Sequence, residues 1–252
     1  MGRKGTSSVL KRKPAPKFWP IHRKEYAWVV KPSPGPHSLE KGLPMALVLR
    51  DVLGFASTRK EAKMIVSNRQ VQLDGRICTS DEVQTGLMDV VSLKDAQKSY
   101  RVLPSYKGLI FNPISDEEAK FKLFRIEDKK SVGKGHLQLS FHDGSTMFMK
   151  IADTKNPQED VYKTFDTLKL SLPDREVIGH VKMKENDYAI IIGGKNVGKY
   201  GKIIELEKAT GKKRRSTIAT IEDSQGNKFQ TILGFVFAIG ESNAVIELPE
   251  AV

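Results

Sequence analysis

Residues 45–78, MALVLRDVLGFASTRKEAKMIVSNRQVQLDGRIC, decide the fold of this chain. Thr58 followed three positions later by Glu61 is a capping box, which satisfies the first free amides of a helix and fixes its start. At 100° per residue Ala62, Ile65 and Val66 share one apolar arc, while Arg59, Lys60, Lys63 and Ser67 share the neighbouring polar arc. Gly54 ends a shorter helix before it, whose Leu49, Val52 and Leu53 are expected to pack on those apolar residues while Arg50 points outward. Beyond the second helix Val71 and Leu73 alternate with polar residues up to Asp74-Gly75, a dipeptide suited to a hairpin turn that needs positive φ. Arg69, Gln72 and Arg76 then lie beside the helical cations. An amphipathic helix with three basic residues is, taken alone, more often a solvated surface. Two helices and a hairpin with cations gathered on one side are expected to bind folded RNA.

Composition agrees with such a partner. The chain has 252 residues, 39% of them apolar, enough for two or three small domains with a real core. Its 42 Lys and Arg exceed 30 Asp and Glu, giving a net charge of +12. Cys78 stands alone, which excludes an internal disulfide and any multi-cysteine metal site and suits a reducing compartment. Apolar runs such as 232–239 are too short to cross a bilayer, and the basic N-terminus lacks the apolar segment of a signal peptide. A cytoplasmic location is expected.

Residues 1–42 form an extension holding six of the twelve prolines together with Trp19 and Trp28. Eight basic residues and no acidic ones lie in positions 1–24. Prolines at this density exclude a regular helix or a central strand. The expectation is an extended arm that orders against RNA, Lys11, Arg12, Lys13 and Lys17 on phosphates and Trp19 on a base or ribose.

A strand over 88–93 completes the first module, and 106–112 marks the passage to the next domain. Ser115 and Glu118 suggest a second capping box. From Phe121 the pattern is β, with strands at 136–141 and 146–151 around the Asp143-Gly144 turn, then at 166–172 and 176–183. His136 and His142 are read as ordinary strand residues, since no partner at ligand spacing accompanies them.

Two apolar strands at 188–192 and 202–206 are joined by a loop holding Gly193, Gly194, Gly198 and Gly201. Gly193-x-x-x-x-Gly198-Lys199 matches an NTPase phosphate loop except at Tyr200, where magnesium would require Ser or Thr. A phosphate loop must also open a helix, whereas Lys202-Ile-Ile-Glu-Leu206 is strand-like, so NTP binding is set aside. Glycines of this spacing let the backbone turn tightly and approach a ribose-phosphate chain, leaving Lys195, Asn196, Lys199 and Tyr200 at the loop tip. Lys212, Lys213, Arg214 and Arg215 are expected in a later loop, as a phosphate clamp for RNA or a solvated charge run, with further strands at 216–222, 228–233, 235–239 and 244–248.

The order Arg50-Asp51-x-Leu53, Thr58-Arg59-x-x-Ala62, Ile65, Val71-x-Leu73 and Asp74-Gly75 resembles the small RNA-binding module named after bacterial ribosomal protein S-four, with Asn68 standing where the module has glycine. Gly194-x-x-x-Gly198-x-x-Gly201 between two apolar strands resembles the KOW motif of SH3-like barrels. With Leu10-Lys-Arg12, Ala15-Pro16, Trp19, Trp28, Pro32-x-Pro-Gly-Pro-His37, Leu43-Pro44 and Met88-Asp89-Val90, the whole chain resembles the archaeal and eukaryotic small-subunit ribosomal protein family called S-four-e.

That resemblance implies an α+β, multidomain fold. It comprises a basic extension (1–42), a small ααβ-type RNA-binding module (43–106), a β-rich central domain (107–172) and a C-terminal SH3-like β-barrel with the KOW motif (173–252). It further implies a structural constituent of the small ribosomal subunit that contacts small-subunit rRNA and other small-subunit ribosomal proteins. No enzymatic activity, cofactor, metal, membrane, small-molecule substrate or homo-oligomer is expected. An RNA-modifying enzyme or a synthetase could carry the helical module, but 106–182 offers no cofactor loop or acid–base cluster. A transcription elongation factor would share the KOW barrel without explaining residues 45–78 or the extension.

Overall fold

In the computed structural model, which describes residues 9–22, 24–151, 160–207 and 217–249, the chain is mostly β-strand with a few short helices. The extension supplies β1 (Leu10–Lys11) and β2 (Trp28–Val29), which pair antiparallel. After β3 (Leu43–Pro44), α1 (Met45–Leu47) widens into a π turn over Val48–Val52, and α2 (Arg59–Ser67) follows. The π turn rotates the end of the first helix. Leu49 is therefore buried and Leu53 packs on the core, but Val52 stays exposed, contrary to expectation. Gly54 ends the helix at φ 69°. Asn68 caps α2 with φ −75°, so the left-handed position falls one residue later, on Arg69 at φ 59°.

The unit continues through β4 (Val71–Leu73), β5 (Arg76–Ile77), β6 (Gln84–Thr85), β7 (Val90–Leu93), β8 (Lys98–Ser105) and β9 (Gly108–Ile114). β6 pairs with β3, and the others form an antiparallel sheet in the order β5-β4-β7-β8-β9. Asp74 and Gly75 both take positive φ, 50° and 75°, as a tight hairpin twist demands.

A second antiparallel sheet has the order β12-β11-β10-β13-β14, built from β10 (Phe121–Val132), β11 (His136–Phe141), β12 (Thr146–Met149), β13 (Thr167–Ser171) and β14 (Val177–Val181). The third has the order β18-β17-β16-β15-β19, from β15 (Tyr188–Ile191), β16 (Tyr200–Glu207), β17 (Ile218–Glu222), β18 (Lys228–Ile232) and β19 (Val236–Gly240). β9 carries the first sheet past the boundary expected at 106, and β14 carries the second past 172. Pro104 and Pro113 disguise the β8–β9 hairpin in the sequence, and Pro113 is tolerated because β9 lies at an edge. Residues 244–248, expected as a strand, instead run as a strap fixed by Val245 N–H donating to Ile239 O at 2.9 Å.

The sheets are not beads on a string. Met88 and Leu103 of the first unit, Phe121 and Leu123 of the second, Ile190, Phe237 and Ile239 of the third, and Ile246 of the strap form one buried cluster. Buried cations reinforce the seam. Lys122 Nζ donates to Asp74 Oδ2 at 2.6 Å and to Asp89 Oδ1 at 2.5 Å, with Asp143 Oδ2 at 3.7 Å. His37 of the extension reaches the other oxygen of Asp89 at 2.9 Å. Arg101 pairs with Glu118 at 2.7 Å and donates to Phe121 O at 3.0 Å. Half of the expected capping box is present, Glu118 N–H donating to Ser115 Oγ at 3.4 Å, while the Glu118 carboxylate turns to Arg101 and the segment makes a single 3-10 turn over Glu118–Lys120. Arg125 ties the second sheet to the third by donating to Gly234 O (3.1 Å) and Val236 O (2.8 Å).

Burial opposes charge on Lys122, but its three carboxylates outweigh that and hold its pKa above the ordinary lysine value. Asp89 is likewise buried, yet Lys122 and His37 hold it well below the usual carboxylate range. His142 Nδ1 accepts from Arg125 N–H at 3.2 Å while Nε2–H donates to Leu87 O at 3.1 Å, a neutral tautomer. Burial and the nearby Lys122 lower its pKa to about 3.

Lys122→Met should destabilise the fold by about 3–5 kcal/mol in chemical denaturation, because it strands buried carboxylates without their counterion. His142 binds a proton less readily folded than unfolded, so its contribution to stability is complete above pH 6.5 and is lost as pH falls toward about 3. Asp89, with its depressed pKa, loses its contribution at lower pH still, as pH falls through its folded value. Melting followed by circular dichroism should therefore decline below pH 6.5, and less steeply over this range in His142→Gln.

Candidate nucleic-acid interface

The capping box that sets the register of α2 is present in full. Glu61 N–H donates to Thr58 Oγ1 at 3.2 Å, and Glu61 Oε2 accepts from Thr58 N–H at 3.3 Å and Ser57 N–H at 2.7 Å. With Ala62 and Val66 buried against the core, Lys60 and Lys63 stand exposed on the outer face, and no described residue pairs with either. Arg69 and Arg76 are exposed nearby, one at the left-handed turn after α2 and one on β5.

Other residues of the expected face are engaged within the protein. Arg59 donates to Asp81 at 2.8 Å and to Glu82 at 3.0 Å. Burial opposes its charge, but these hydrogen bonds outweigh it and raise its pKa. Arg50 binds the neighbouring Asp51 through two hydrogen bonds of 2.8 and 2.9 Å. Each arginine thus presents a partly neutralised pair.

The extension departs most from expectation. Trp19 is 2% exposed, sits in the core shared with α2 and β4, and donates Nε1–H to Gly42 O at 3.0 Å. It is a packing anchor and is closed to a base. Arg12 bends back to Ile21 O through Nε (3.1 Å) and Nη2 (3.0 Å). Lys11 sits over the ring of Trp28, which is 57% exposed, with Nζ 5.3 Å from the centroid. Lys13 and Lys17 remain exposed. The described extension is therefore docked on the first unit, its cations fixed in place on a packed segment.

The glycine loop between β15 and β16 is shaped by contacts within the chain. Gly194 and Gly198 take φ of 84° and 86°. A Cβ on Gly198 would lie 3.0 Å from Ser105 Cα, and one on Gly201 only 2.0 Å from Glu222 O. Close backbone packing thus accounts for Gly198 and Gly201. Lys195 is exposed, Asn196 Nδ2 donates to Gln230 O at 3.4 Å, and Lys199 Nζ lies 3.7 Å from the centre of the Phe229 ring. Tyr200, expected at the loop tip, instead begins β16 and donates its hydroxyl to Pro249 O at 2.8 Å. Lys212, Lys213, Arg214 and Arg215 lie outside the described residues. Sequence reasoning passed over the β8–β9 tip, where Tyr106 is 82% exposed beside Lys107; the short Tyr-Lys-Gly turn was its only signal.

Among the described residues no helix is long and apolar enough to cross a membrane, and no cluster of His, Cys, Asp and Glu is arranged to hold a metal. Fold and surface are those of a modular, cationic β protein built around an S4 domain. Models of the RS4NT (NUC023) domain, the S4 domain and Ribosomal family S4e match residues 4–40, 48–91 and 96–177. The chain is 47% identical to small ribosomal subunit protein eS4 of Staphylothermus marinus, over 99% of both chains. It is 43% identical to the protein of the same name from Methanococcus aeolicus, over 98% of this chain and 100% of that one. The crystal structure of the 30S ribosomal protein S4e from Thermoplasma acidophilum superposes with a TM-score of 0.65 at 28% identity, covering 80% of this chain and 96% of that one. The chain belongs to Ribosomal family S4e.

Gly201→Val should lower stability by about 3 kcal/mol, since the added side chain has no room before the backbone of β17. Lys195→Gln, on the exposed loop, should leave the melting temperature unchanged within about a degree.

Proposed function

We propose that the protein is a structural constituent of the small ribosomal subunit, gripping its rRNA at several points and supporting translation in the cytoplasm. The observation that carries this reading is the near-full-length likeness to proteins named for the small subunit. The exposed lysines of α2, with which no described residue pairs, give it a physical means. The third sheet, with its glycine loop, is taken as an SH3-like barrel bearing a KOW motif. The protein acts without catalysis or cofactor, and its other partners are small-subunit ribosomal proteins, not copies of itself.

Affinity on this reading comes largely from counterion release, with a log–log salt slope of about −0.7 to −0.9 per neutralised phosphate. Specificity comes from matching the shape of folded rRNA, because side chains cannot read sequence in the deep, narrow major groove of an A-form helix. Lys13, Lys17, Lys60, Lys63, Arg69, Arg76 and Lys195 are the leading contacts, since each is exposed. Arg59 and Arg50 first hold carboxylates of the protein itself.

Lys60→Glu with Lys63→Glu should weaken binding to small-subunit rRNA in filter assays and flatten the salt slope, leaving the melting temperature intact. Arg59→Glu should lower the melting temperature as well, because it places a third carboxylate against Asp81 and Glu82. Sedimentation of cell extract should find the protein in small-subunit fractions; a free pool alone would overturn the reading.

A further inference from the structure

Where the extension, the β8–β9 hairpin and the third sheet meet, the surface opens into a groove of about 1080 Å³. Its builders are explained by packing. Gly108, at φ 129°, lets the hairpin turn against Phe18 of the extension, whose ring a Cβ would meet at 2.9 Å. Gly198 presses the glycine loop on the backbone of Ser105. The hairpin tip is thus wedged from both sides, and yet Tyr106, which stands on it, is left 82% exposed. Across the groove Phe235 is 40% exposed.

Positive charge dominates the exposed lining of the groove. Lys17, Lys41 and Lys107 line it and are exposed, and no described residue pairs with them. Arg125 is occupied by Glu127, Gly234 O and Val236 O. Glu40 is the one lining carboxylate outside that pair. Two presented rings and three free ammonium groups around an open concavity match a nucleotide that has left its stack: a flat face for the ring and an anion on either side.

We propose that this groove receives an unstacked nucleotide of rRNA, its base against Tyr106 and its flanking phosphates held by Lys17, Lys41 and Lys107. The inference rests on the function proposed above and adds a base-stacking site to it. A docked protein segment is the competing occupant; it would call for carboxylates or backbone-pairing edges to meet the lysines.

The test uses the full chain and a transcript of small-subunit rRNA from the same organism. Tyr106→Ala should raise the dissociation constant about 5- to 150-fold, the range that stacking one base on an aromatic commands, with the salt slope unchanged. Tyr106→Phe should bind within about twofold of wild type. Lys17→Gln with Lys107→Gln should reduce the salt slope by about 0.7–0.9 for each lysine. All four substitutions lie on exposed side chains, and melting curves check the fold. In purified subunits, a photoreactive phenylalanine analogue at position 106 should crosslink to rRNA. Wild-type affinity in Tyr106→Ala, or a crosslink to a ribosomal protein, would overturn the proposal. Failure of the wild-type chain to bind the transcript would instead count against the broader function.

Discussion

One ammonium group, that of Lys122, holds together parts of the chain that would otherwise only touch. Its carboxylates come from the hairpin turn of the first sheet (Asp74), the segment before β7 (Asp89) and a turn of the second sheet (Asp143), and Asp89 is also held by His37 of the extension. Removing any of these groups from water is expensive, and the expense is offset only when all arrive in place. The network therefore specifies one arrangement of extension, first sheet and second sheet. Arg101 and Arg125 do the same for the 3-10 turn and the third sheet.

This rigidity changes how a multi-point grip on RNA works. Modules on flexible linkers gain from one another only through effective concentration, and each pays the entropy of ordering when it binds. Here the described extension, α2 and the β8–β9 hairpin share one buried cluster, and the glycine loop is pressed against the hairpin backbone at Ser105, so their relative positions are set before RNA arrives. On the proposed function, specificity for a folded target resides in the fixed spacing of cationic points, which a differently shaped RNA cannot satisfy at once.

What the sequence revealed follows from the range of the forces involved. The Thr58–Glu61 box and the Asp74-Gly75 turn are settled within four residues, and both are found where local chemistry puts them. The strand after the glycine loop is also local, since β-branched residues set it. The partners of Trp19, Arg59 and Tyr200 are not legible in the sequence because they are distant: Gly42, Asp81 with Glu82, and Pro249. An exposed-looking cation or aromatic in the sequence carries no mark of an acceptor more than 20 positions away. Gly201 serves the tight backbone turning expected of the loop, since its missing side chain makes room for β17.

The strap after β19 carries a temporal consequence. Glu247 N–H donates to Glu118 across 129 positions, Asn112 Nδ2 donates to Glu247 O across 135, and Tyr200 donates to Pro249. A chain emerging during synthesis reaches these acceptors and donors only after all three sheets have left the tunnel. Products that stop short of the strap leave the Glu118 carboxylate without one of its donors and the buried Ile246 position empty.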